Sequence, residues 1–85
     1  MEKGRVVISK AGRDKNNFFI VLNTVGERVY IADGKIRKME NPKAKNIKHL
    51  QKTNMYFTID DNVTNKKLKM MIKELDIKAN SEKSL

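Results

Sequence analysis

Between Gly4 and Met39 the sequence breaks into four short runs with strand character, each closed by a turn signal before it is long enough to form a helix. Val6-Val7-Ile8 is β-branched and runs into Lys10-Ala11-Gly12. Phe18-Phe19-Ile20-Val21-Leu22 is continuously apolar, as befits a strand covered on both faces or a barrel wall capped by the C-terminal segment. A polar link, Asn23 to Glu27, leads into Glu27-Arg28-Val29-Tyr30-Ile31-Ala32, which alternates and so sets Val29 and Ile31 on one face and Arg28 and Tyr30 on the other. Asp33-Gly34 suits a two-residue hairpin, because both central positions need positive φ, and predicts Lys35-Ile36-Arg37-Lys38-Met39 as the returning strand. Short strands at this spacing predict a strongly bent antiparallel sheet closing into a small barrel.

At Asn41-Pro42 the chain is expected to leave the sheet, since proline cannot donate to a central ladder. Lys43 to Lys52 is too short for a helix and too charged for an inner strand. It reads as a basic excursion pinned by Ile47 and Leu50 at the spacing of one helical or 3₁₀ turn. Met55 to Ile59 predicts a fifth strand, after which Asp60 and Asp61 offer negative charge to the start of a helix. From about Thr64 to Ile77 the residues Leu68, Met71, Ile72 and Leu75 recur at helical spacing. The expected architecture is mainly β, a small barrel with a C-terminal α-helix, forming one domain over 1–77 with 78–85 as a disordered tail.

A chain of 85 residues buries only about 60–65% of the surface it exposes when unfolded, too little to build a large catalytic cleft. Nineteen Lys and Arg against ten Asp and Glu give a net charge of +9, which favours polyanionic partners, nucleic acid first and an anionic membrane surface second. The absence of cysteine excludes disulfides and thiolate zinc sites, and His49 is the single histidine, so no metal site is expected. No nucleophile, base and orienting group occur as a set, and no glycine loop is built to cradle a nucleotide. Neither enzymatic activity nor a cofactor is expected. No apolar stretch approaches the roughly 18 residues needed to cross a bilayer, and Met1-Glu2-Lys3-Gly4 lacks the apolar core of a secretory signal. A cytoplasmic protein, monomeric when free, is the expectation.

Two basic segments stand out. In Ala11-Gly12-Arg13-Asp14-Lys15 the glycine permits a tight backbone and leaves Arg13 and Lys15 projecting from a rigid strand. Farther on, Lys35, Arg37, Lys38, Lys43, Lys45, Lys48 and Lys52 fall within eighteen residues that contain one acid, Glu40. A merely solvated surface intersperses both signs, so this asymmetry reads as a phosphate-facing patch. His49 has two readings, contact with RNA or a polar cap over Ile47 and Leu50. Tyr30 and Tyr56 are the aromatics best placed to meet a base, although a barrel this small needs its aromatics for packing and packing is the preferred reading for both; Phe18, Phe19 and Phe57 belong to the core.

The opening strand with its glycine loop, Gly4 to Lys15, resembles the KOW motif of ribosomal proteins and transcription elongation factors. The longer run from Gly4 to Leu50, with Val29 to Gly34 and Lys43-Ala44-Lys45-Asn46-Ile47-Lys48-His49-Leu50, is similar to small bacterial KOW-domain RNA-binding proteins. Those in turn resemble the large-subunit ribosomal proteins of the fourteen-e type. The chain departs from the pattern at Asn16-Asn17, where many KOW loops carry a second glycine. The resemblance implies an SH3-like barrel that binds structured RNA, ribosomal RNA foremost. Arg13 and Lys15 would reach phosphates from the loop, Arg37, Lys38, Lys43, Lys45 and Lys48 would line the flank, and Asn46, His49 and Tyr30 would make the directional or stacking contacts. The alternative from another class is a protein-interaction module of the elongation-factor type, binding polymerase or a ribosomal protein through an apolar edge.

Overall fold

The computed structural model describes residues 1–83. Its elements are β1 (Arg5–Ser9), β2 (Phe18–Val25), β3 (Arg28–Ala32), β4 (Lys43–Asn46), a 3₁₀ turn (Ile47–His49), β5 (Leu50–Tyr56) and α1 (Asn65–Lys83). All strands join one antiparallel sheet in the order β4-β3-β2-β1-β5. The register slips between Val21 and Asn23 where β2 meets β3, and between Arg5 and Val7 where β1 meets β5. Such irregularities bend a strand and raise its twist. The sheet curls so far that the Lys45 ammonium on the β4 edge reaches Ser9 at the end of β1, 2.8 Å away, although two strands separate them in the sheet. The result is a small barrel-like fold with a helix laid against its wall.

β2 holds the two layers together because both of its faces are covered. Phe19 and Val21 point into the barrel with Val7, Val29, Ile31 and Leu50. Ile20 points the other way, joining Ala32 and Leu68 in a second cluster with Leu22, Phe57, Met71 and Ile72 packed around it. Each large side chain fully withdrawn from water here contributes about 1.5–3 kcal/mol. The unbroken apolar run of β2 is thus explained by a barrel on one side and α1 on the other.

The start of α1 is fixed by hydrogen bonds rather than by acidic side chains. Thr64 caps it, its Oγ1 accepting from the Lys67 N–H at 3.2 Å, and no acid lies in the first turn. Asp60, expected to serve the helix, instead closes the preceding turn by accepting from the Asn62 N–H at 2.9 Å. Asn65 accepts from the Met39 N–H at 2.8 Å and donates to Glu40 at 2.6 Å, tying the helix to the β3–β4 connection. Gly34 makes this docking possible: its φ is +78°, and a Cβ there would overlap the Asn65 carbonyl oxygen.

Several boundaries differ from expectation. Residues 35–39 are not a strand, because Asp33 Oδ1 accepts from the N–H groups of both Lys35 and Arg37 at 2.9 Å and winds the chain into a loop in place of a two-residue hairpin. After Pro42 the chain does not leave the sheet but enters it, as the edge strand β4. The single turn at Ile47 is 3₁₀, one of the two forms the spacing allows, yet β5 begins directly after it at Leu50 and ends at Tyr56, sharing only Met55 and Tyr56 with the strand expected over Met55 to Ile59. α1 continues past Ile77 to Lys83, through most of the segment read as a tail, while residues 84–85 lie outside the described part.

Leu68 is fully buried and Met70 is 59% exposed. Leu68→Ala is therefore expected to cost about 2–4 kcal/mol in urea unfolding, with Met70→Ala close to neutral.

Candidate nucleic-acid interface

The loop between β1 and β2 is built from its own backbone. The Ser9 N–H donates to the Asn17 carbonyl at 3.1 Å and the Asn16 N–H to the Ser9 carbonyl at 2.7 Å, so the strand ends clasp the loop at its base. Inside it, the Lys15 N–H donates to the Gly12 carbonyl at 3.2 Å and the Asn17 N–H to that of Asp14 at 3.0 Å. Two left-handed positions allow this winding, Gly12 at φ +77° and Asn16 at φ 73°. Among the described residues Asn16 is the single non-glycine with positive φ, and asparagine is one of the few side chains that tolerate it. It takes a left-handed conformation that a glycine adopts readily.

The 3₁₀ turn lies beside this loop. The Lys10 N–H donates to the His49 carbonyl at 2.8 Å, and Asn46 caps the turn, its Oδ1 accepting from the Lys48 N–H at 3.1 Å. Arg13, Lys15, Lys48 and His49 are all exposed on this joined surface. Lys10 is exposed there too and was not among the residues singled out from sequence; its place directly before the glycine loop was the available signal. The ion pairs among the described residues are Lys3–Asp61, Arg5–Glu2 and Arg37–Asp14, so Lys10, Arg13, Lys15 and Lys48 have no carboxylate partner there. Their charge faces solvent. Three clefts flank α1, and Arg13, Lys15 and Lys48 line none of those three. An exposed cationic surface without carboxylate partners suits a phosphate backbone.

Other residues expected in the patch are placed differently. Lys45 pairs with Val29 in the sheet, shares its inward face, and spends its ammonium on Ser9 Oγ and the Ala11 carbonyl, each at 2.8 Å. Arg37 lies half-buried with a terminal nitrogen 3.7 Å from the Asp14 carboxylate, and its Nε is buried without a partner. Lys43 is half-buried opposite Ile31 at the head of β4. Lys38 is exposed in the connection that docks onto α1. Tyr30 is half-buried on the outer face between Asn23 and Ala44, away from the inward-facing Lys45. Tyr56 is the more open tyrosine at 63% exposure, with the Arg5 guanidinium over its ring, 5.4 Å from the centroid.

Among the described residues no group of three His, Cys, Asp or Glu is arranged to hold a metal ion, and no helix is long and apolar enough to cross a membrane. Comparison with protein-family models and with curated proteins finds no match. The geometry is an internally hydrogen-bonded cationic loop set beside a cationic turn on a small barrel.

The left-handed backbone at Asn16 gives a direct check. Asn16→Gly should leave stability within about 0.5 kcal/mol, whereas Asn16→Val should cost about 1–2 kcal/mol in the same unfolding assay, because a β-branched side chain opposes that conformation.

Proposed function

We propose that this protein binds structured RNA, ribosomal RNA foremost, through phosphate and shape contacts, and that it is a cytoplasmic, ribosome-associated protein of the KOW type with no catalytic role. The observation that carries the proposal is the joined surface of the β1–β2 loop and the 3₁₀ turn, where Lys10, Arg13, Lys15 and Lys48 are exposed with no carboxylate partner among the described residues. Unpaired cations raise self-repulsion, and phosphates relieve it while releasing the counterions condensed on the nucleic acid. The net charge of +9 supports the same partner class. His49, exposed between Lys48 and the start of β5, can donate to phosphate or stack on an unpaired base. Asn46 contributes by holding the turn, since its side-chain oxygen is engaged there.

A salt titration with a ribosomal RNA fragment tests this. With about four to six phosphates neutralised, log affinity should fall against log salt with a slope of about −3 to −5. Arg13→Gln, Lys15→Gln and Lys48→Gln should each lower that slope by nearly one unit. Lys3→Gln, before β1 at the opposite end of that strand, should leave it unchanged. A flat salt response would overturn the proposal and favour an apolar protein interface. Duplex DNA bound as tightly as every RNA tried would overturn the RNA assignment.

A further inference from the structure

We infer that Lys45 is a positioning residue: its ammonium latches the Lys10–Asn16 loop in the form that presents Arg13 and Lys15, and it does not itself meet phosphate. This deepens the RNA-binding reading and rests on it for the functional consequence, while the latch can be judged without RNA. Lys45 rises from β4 on the same face as Val29, and its ammonium reaches the root of the loop. Its Nζ donates to Ser9 Oγ and to the Ala11 carbonyl, both at 2.8 Å, and the same hydroxyl donates to that carbonyl at 3.1 Å. Three groups thus close a triangle at the root of the loop. Ser9 is fully buried, and a Cβ on Gly12 would lie 3.7 Å from the ammonium, so this cation is packed under the loop while its neighbours project.

The electrostatics favour such a latch. A loop carrying Lys10, Arg13 and Lys15 repels itself, and an added ammonium beneath it would worsen that unless it were anchored by acceptors. Hydrogen bonds from a charged donor to well-placed oxygens are the strong ones. On the other flank Asp14, only 8% exposed, turns its carboxylate toward Arg37, 3.7 Å away, so the loop is held from β4 on one side and from the β3–β4 connection on the other. A loop so held meets a polyanion with less ordering left to do, which raises affinity without a new contact.

The test compares Lys45→Met, which keeps the apolar stem, with Ser9→Ala, which leaves the ammonium and removes its acceptor. In both, amide exchange at Lys15 and Asn16 should quicken at least tenfold relative to the β2 amides. Affinity for the ribosomal RNA fragment should fall about three- to tenfold with the salt slope unchanged. Arg13→Gln should lower the slope by the same unit on the Lys45→Met background as alone, because the bound loop still presents its cations and only the ordering left to do has grown. Should Lys45→Met fail to fold, Ser9→Ala decides by the same readouts. A slope lowered by one unit in Lys45→Met, with loop exchange unchanged in both variants, would make Lys45 a phosphate contact and overturn the latch. Should the wild type bind none of the RNAs tried, the RNA reading fails on its own and loop exchange alone decides the latch: unchanged exchange overturns it.

Discussion

Everything in this fold depends on β2 being wanted from two sides. Phe19 and Val21 serve the barrel, and Ile20 serves the layer beneath α1, so one strand of eight residues belongs to two hydrophobic clusters at once. Neither cluster is large. A domain of this length has little apolar surface to withdraw, and its stability rests on sharing. Because α1 leans on the back of the same strand that forms the barrel wall, the helix stiffens the sheet at the point where the β1–β2 loop and the β3–β4 connection both begin.

Charge is distributed by role. Cations with structural duties are turned inward or paired, as Lys45 is with Ser9 and Ala11 and Arg37 with Asp14. Those at the loop and the 3₁₀ turn are left to solvent. A buried carboxylate such as Asp14 in a strongly basic protein is costly unless a cation faces it, and here that cation comes from a different connection, so two loops are coupled electrostatically. The cationic loop is thereby tied to the rest of the barrel from two sides.

The fold class was legible because periodicity and turn chemistry agreed over the first three strands and the helix. Val29 and Ile31 alternate with Arg28 and Tyr30, and Leu68 and Leu75 fall on the buried stripe. What misled was local chemistry that tertiary structure overrode. Asp33-Gly34 is a strong hairpin signal, but the Asp33 carboxylate captures two amides ahead of it and Gly34 is needed against the helix. Lys43 to Asn46 looked too charged for a strand, which holds for an inner one; β4 lies at an edge, where charge is tolerated. In the candidate site, Arg13, Lys15, Lys48 and His49 were readable from sequence as exposed. The inward turn of Lys45 was not, since it depends on a curl of the sheet that no spacing in the chain encodes.

The pairing of β1 with β5 joins Arg5 to Tyr56 and Ser9 to Leu50, partners separated by roughly forty to fifty positions, a separation whose closure entropy must be met before the contact rewards it. On a ribosome the first three strands emerge early and pair locally, while the open side of β1 and the back of β2 wait for β5 and α1. A nascent chain therefore spends time with an unpaired sheet edge and bare Ile20 and Ala32, the condition under which neighbouring chains add to one another's strands. The edge strands β4 and β5 both carry lysine, Lys43 and Lys45 in the one and Lys52 in the other, a composition that discourages such addition.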